Sequence, residues 1–107
     1  MTPAASPANR WKDRLVASQE VAIVNRQGLH ARPATQFVET ANRFGSRVTV
    51  VKDDTRVNGK SVMEMMLLDA EQGTTLRIET KGEDAEECLA ALVEVVSRFD
   101  ENATRKR

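Results

Sequence analysis

The chain has 107 residues, with 16 basic and 16 acidic side chains and a formal net charge of zero. That length suits one domain with a modest core, and the charge balance argues against a nucleic-acid partner held by bulk electrostatics. A single histidine and a single cysteine rule out an internal disulfide and leave too few ligands for an ordinary zinc site.

No apolar run approaches the length needed to span a bilayer, and Met1 to Pro7 lack the hydrophobic segment of a signal peptide. These features predict a soluble, cytoplasmic protein that does not insert into membranes. Cys88 fits a reducing compartment.

Residues 1–16 read as a flexible extension rich in Pro, Ala, Ser and Asn, with Trp11 and Leu15 as its sizeable apolar side chains. Val21, Ala22, Ile23 and Val24 form a short apolar strand candidate that Arg26-Gln27-Gly28 breaks. Ala34, Phe37, Val38, Ala41 and Phe44 follow at helical spacing, with Gly45 as the expected stop. Val48, Val50 and Val51 mark a second strand, and Asp53-Asp54 would turn the chain into a third around Thr55 to Val57.

Ser61-Val62-Met63-Glu64 has the form of a capping box and opens a short helix to about Leu68. Thr75 to Glu79 alternate as a half-buried strand. Asp84, with Glu87 three positions on, is the expected N-cap of a last helix whose buried stripe is Ala85, Cys88, Leu89, Leu92, Val96 and Phe99. Residues 101–107 make a short basic tail, leaving 17–100 as the domain. The order strand, helix, strand, strand, helix, strand, helix predicts an α+β fold: an antiparallel or mixed sheet with helices on one face.

Gly28-Leu29-His30-Ala31-Arg32-Pro33-Ala34 lies where the first strand ends and the first helix begins. Pro33 belongs in a first helical turn, where a missing N–H costs nothing, so His30 falls at the helix start. The first amides of a helix have no partners within it and attract anions. Arg32 adds a fixed charge and a fork of donors suited to phosphate oxygens. A neutral imidazole there has a ring nitrogen free to attack, and a phosphoryl group on that nitrogen would meet the amides and Arg32. A lone histidine at a helix start is also a common cap or surface residue, and spacing alone leaves both readings open.

That heptapeptide resembles the phosphohistidine signature of HPr, the histidine-containing phosphocarrier family of the bacterial phosphotransferase system. Downstream, Val57-Asn58-Gly59-Lys60-Ser61-Val62-Met63 resembles the family's regulatory serine region. The resemblance runs without gaps from about Ala17 to Phe99. It implies an open-faced βαββαβα sandwich, with a four-stranded antiparallel sheet and three helices on one face.

The resemblance implies a carrier, not an enzyme. His30 would accept the group on its δ nitrogen from Enzyme I, which takes it from phosphoenolpyruvate, and give it to the A domain of a sugar permease. Ala31 would hold the phosphate by its backbone N–H and Arg32 by its side chain, with no cofactor or metal. Ser61 would be the target of HPr kinase/phosphorylase, where the cell has one. Val62, Met63 and Met66 would form the docking patch, with Met65 and Leu68 facing inward, and a monomer is expected.

Two positions depart from the family pattern: Glu64 and Asp69 stand where glycine is common. Glu64 would either disfavour kinase recognition of Ser61 or simply complete the cap. Two other functions remain in view: a signalling module of the same fold, and a plain ferredoxin-like binding domain in which His30 is idle.

Overall fold

The computed structural model describes residues 15–99. The basic tail and all but the last two residues of the expected extension, Trp11 included, lie outside the described residues. Seven elements follow in order: β1 (Val16–Ala22), α1 (Ala31–Ala41), β2 (Arg47–Lys52), β3 (Thr55–Asn58), α2 (Val62–Leu67), β4 (Thr75–Lys81) and α3 (Ala85–Ser97). The strands form one antiparallel sheet in the order β1-β4-β2-β3. The βαββαβα order is the expected one.

Alternation along the strands decides where the helices go. Val48, Val50, Val57, Leu76 and Ile78 are buried in one core with Phe37, Ala41, Met65, Cys88, Leu92 and Val96 from the helices. The intervening residues Arg47, Arg56, Arg77 and Lys81 are exposed on the other face. Val51 is the exception there. It pairs across the sheet with Arg56 and Arg77, whose aliphatic stems can cover it while their heads stay in water. Glu79 accepts from Arg56 at 2.7 Å and lies 3.5 Å from Arg77.

Several boundaries differ from the sequence reading, each for a local reason. The first strand is Val16–Ala22, not Val21 to Val24, and so begins inside the expected extension. It is an edge strand fixed by its pairing with β4, so most of its side chains are exposed and it needs no apolar run. Gly45 does not stop α1. Asn42 does, donating its side-chain amide to the Val38 carbonyl at 3.0 Å. Phe37 and Phe99 are core, as expected, and Phe44 is half-buried against it.

Asp84 occupies the N-cap position of α3 but makes no capping bond. Its carboxylate reaches back across the sequence instead. One oxygen accepts from Gly45 N–H at 3.0 Å; the other accepts from Ser46 N–H at 3.0 Å and from the Ser46 hydroxyl. The Ser46 hydroxyl first, and then the backbone amides, hold this carboxyl below the usual carboxylate range, against a smaller opposing effect of burial. Thr80 ties β4 to α3 in the same region, through a buried bond to the Ala85 carbonyl at 2.8 Å. Burial, reinforced by the nearby Asp84 charge, pushes the Cys88 thiol up, which keeps it protonated and packed as a small apolar side chain.

Because Asp84 is depressed in the folded state, its contribution is fully present above its unfolded value and is lost as pH falls through the folded one. Asp84→Ala should therefore lower the thermal midpoint at pH 7, with the gap to the parent protein closing on acidification below the usual carboxylate range. A pH-independent gap in thermal melts would show that packing, not the ionised carboxylate, makes this contact matter.

Candidate functional site

The His30 site is built from two loops held against each other. The first, Asn25 to Leu29, leaves β1; the second, Leu68 to Thr74, leads into β4. Leu29 N–H donates to the Ala70 carbonyl at 2.8 Å. Ile23 and the second loop exchange bonds further out, from Ile23 N–H to Thr74 O at 2.9 Å and from Gly73 N–H to Ile23 O at 2.8 Å. Gln72 adds a side-chain bond to the Val24 carbonyl at 3.1 Å.

Gly28 is required where it stands. Its φ is +74°, and a Cβ there would lie 2.5 Å from the Ala70 carbonyl oxygen and 3.0 Å from Glu71 Cα. Both neighbours are backbone and cannot step aside. Asn25, 2 % exposed, braces the turn from within. Its side-chain amide donates to the Gly28 carbonyl at 2.6 Å, and its own carbonyl accepts from Gly28 N–H at 3.1 Å. Asn25 escaped the sequence reading because a polar residue after an apolar run looks like solvated loop.

The second loop has its own brace. Lys52 donates to the carbonyls of Leu68 at 3.0 Å and Asp69 at 3.2 Å. Asp69 takes a positive φ of 50°, a conformation that glycine adopts freely and that aspartate tolerates. The departure from glycine at this position thus leaves the turn intact.

On this base His30 is the N-cap residue of α1, with extended backbone and a half-buried side chain that makes no capping bond. Its backbone is fixed on both sides: its N–H donates to Gly28 O at 3.1 Å and its carbonyl accepts from Ala34 N–H at 3.0 Å. The ring is therefore positioned without being used up. Ala31 and Arg32 are exposed, and neither backbone N–H has an acceptor among the described residues. The third helical residue is Pro33, which has no N–H to satisfy. The first turn carries no acidic side chain, and the Arg32 guanidinium has no carboxylate partner among the described residues. Two free N–H groups, a free guanidinium and a helix dipole together make an anion site beside an imidazole.

Ser61 sits elsewhere, at the N-cap of α2. Its hydroxyl accepts from Glu64 N–H at 3.2 Å, as the capping box predicts. The reciprocal half differs: the Glu64 carboxylate accepts from Asn58 N–H at 2.8 Å, while Ser61 N–H donates to the Asn58 carbonyl at 3.1 Å. The turn before the helix folds back so that Glu64 bonds the backbone three residues before the N-cap.

Around this helix Met63 is 80 % exposed, Leu67 73 % and Met66 41 %, while Met65 and Leu68 are buried as expected. Val62 is half-buried against the core, at the edge of that patch. Leu67 is its second most exposed member and was missed, because a leucine in an apolar run looks like core. α2 packs on α1, and its continuation is the segment that holds Leu29, so the patch and His30 share one support.

Comparisons with known proteins identify the family. The family described as the PTS HPr component phosphorylation site matches residues 17–98. The phosphocarrier protein HPr of Pseudomonas aeruginosa is 46 % identical over 84 residues, covering 77 % of this chain and 93 % of that protein. The crystal structure of HPr from Thermoanaerobacter tengcongensis superposes with a TM-score of 0.76 at 40 % identity, covering 79 % of this chain and 96 % of that one. Crh, a Bacillus subtilis protein of catabolite repression described as a domain-swapped dimer, superposes with a TM-score of 0.64 at 42 % identity, covering 75 % of this chain and 92 % of that one. With a family match across most of its length and a phosphocarrier relative at this identity, the chain belongs to the HPr family of the phosphotransferase system.

Proposed function

We propose that His30 is the residue that carries the phosphoryl group, taken from phospho-Enzyme I and delivered to the A domain of a sugar permease in the cytoplasm. One observation supports this above the rest: among the described residues, the His30 ring is uncommitted beside the unpartnered N–H groups of Ala31 and Arg32. A lone pair on a ring nitrogen attacks phosphorus while the bond to the donor breaks. The transferred oxygens then face the two N–H groups and the Arg32 fork, which offset their charge. The reverse step hands the group on. The domain that does this begins with β1 at Val16, one residue before the expected start of the 17–100 domain, and works as a monomer without a cofactor.

The Crh likeness favours a second reading, in which phosphorylation state is itself the signal and regulators read it. Both readings need a phosphorylated His30; they part on whether a permease A domain accepts the group. In either, phosphorylation of Ser61 by an HPr kinase/phosphorylase adds charge beside the Glu64 carboxylate and next to Val62, Met63 and Met66, and so opposes docking.

Incubation with Enzyme I and phosphoenolpyruvate should give acid-labile phosphate that His30→Ala abolishes; undiminished labelling of that variant would move the site elsewhere. Arg32→Ala should slow transfer about 10- to 100-fold, the worth of one charge-assisted bond, with the amide spectrum unchanged.

Gly28→Ala should cost about 2 kcal/mol or more through positive-φ strain and backbone clash, and should slow transfer as His30 shifts. Chemical denaturation and single-turnover labelling read the two effects separately.

Ser61→Asp should raise the apparent KM for the protein as substrate of Enzyme I several-fold and leave the maximal rate intact. An unchanged KM would place docking away from α2.

A further inference from the structure

The far end of the molecule carries a second feature that phosphoryl transfer at His30 does not use. α1 runs about 16 Å from its start to its end, and just past that end a cavity of about 510 Å³ opens, lined by Ser46, Arg47, Asn58, Lys60 and Lys81 among others. Arg47 and Lys81 are direct partners across β2 and β4. Like charges placed directly opposite in a sheet are destabilising. On the other side Lys81 pairs with Val16, which offers no charge.

The carboxylates of Glu64, Glu79 and Asp84 near the cluster are bonded to other groups among the described residues, and that of Glu64 accepts from Asn58 N–H. None of the three cations has a carboxylate partner among the described residues. Glu79, two pairs further along the sheet, is taken by Arg56 and Arg77. The Asp84 carboxylate is taken by Gly45 and Ser46. Glu83 lines a neighbouring hollow with Gly45 and Asp84, and none of the three cations lines that hollow.

The lining is also held in place. Lys60 donates from its ammonium to the Phe44 carbonyl at 2.7 Å, which fixes the charge at the cavity wall and leaves two ammonium protons free. The Asn58 side-chain oxygen accepts from Lys60 N–H at 2.9 Å, so its amide nitrogen remains available as a donor. A guanidinium fork, two ammonium groups and an amide donor around one hollow match the oxygens of a phosphoryl group. The volume matches a small molecule.

We propose that this cavity binds a small phosphorylated molecule, at the opposite end of α1 from His30. Binding relieves the Arg47–Lys81 repulsion. It also meets the turn that leads into Ser61, because Lys60 and Asn58 belong to both. The site does not depend on phosphate transfer, so His30→Ala should bind the same ligand with the same affinity.

The test is amide NMR on the full chain, titrated separately with inorganic pyrophosphate and with glucose 6-phosphate at an ionic strength held constant with chloride. Saturable shifts at Ser46, Arg47, Asn58, Lys60 and Lys81, weakened about tenfold or more in Arg47→Ala/Lys81→Ala, support the proposal. The stronger of the two probes then tells whether an organic phosphate or an inorganic one is the natural class. The same double variant should melt higher than the parent without added anion, and should lose the rise in midpoint that pyrophosphate gives the parent. No saturable shift with either probe up to about 10 mM, shifts confined to the Ala31 and Arg32 amides, or an affinity unchanged in the double variant would each overturn it.

Discussion

The approach of Gly28 to the Ala70 carbonyl is the constraint on which the rest of the site depends. The hydrogen bond from Leu29 N–H to Ala70 O joins the chain entering α1 to the chain leaving α2 where the two come closest to His30. It forms only because residue 28 has no side chain to hold the two backbones apart. Asn25 braces one loop from inside and Lys52 the other from outside. Every position that matters for His30 follows: the direction of α1, the exposure of its first two amides, and the nearness of the α2 patch. A net hydrogen bond contributes only about 1 kcal/mol, so the geometry rests on several modest bonds that share one pair of loops.

The sheet supplies the stiffness those loops need. Its inner face is apolar and covered by three helices, and its outer face is charged. Asp84 closes the end opposite His30 by tying the Gly45–Ser46 turn to the start of α3. Two kinds of closure therefore bracket α1. At its start the backbone groups are left open; at its end a carboxylate satisfies the amides of the following turn. At the open end it is backbone amides that are left for an anion.

Much of this was legible in the sequence, and what was not has a common physical cause. Periodicity located the first and last helices and the second and fourth strands, because burial on one face imposes a repeat of about 3.6 or 2 residues; the capping box placed the short middle helix and the Asp53-Asp54 turn the third strand. It misplaced β1, whose residues are held by backbone pairing at a sheet edge and carry little burial signal. Local capping rules found Ser61 and the N-cap position of Asp84 but not the bonds its side chain makes, since a carboxylate that bonds residues 38 positions away leaves no mark on its neighbours. The heptapeptide around His30 was readable because glycine, histidine, arginine and proline each answer a local demand there. Asn25, Lys52 and Leu67 were not, because their roles are set by the loop or surface that the completed fold brings beside them.

A chain this small can serve in phosphoryl transfer because it supplies only half of a reaction centre. Groups left uncommitted among the described residues, the His30 ring, the Ala31 and Arg32 N–H groups and the Arg32 guanidinium, lie together at one helix end. A deep pocket would enclose the phosphoryl group and raise the cost of handing it on. An exposed helix start stabilises it moderately, by charge and amides, and leaves the opposite face of the phosphorus open to a partner's nucleophile. The exposed Met63, Met66 and Leu67 are suited to that exchange, since flexible apolar side chains can repack against more than one surface. Shallow binding of the group and adaptable binding of partners would then be two consequences of one arrangement: α1, with its open first amides, and α2, with its exposed apolar side chains, hang from the same pair of loops.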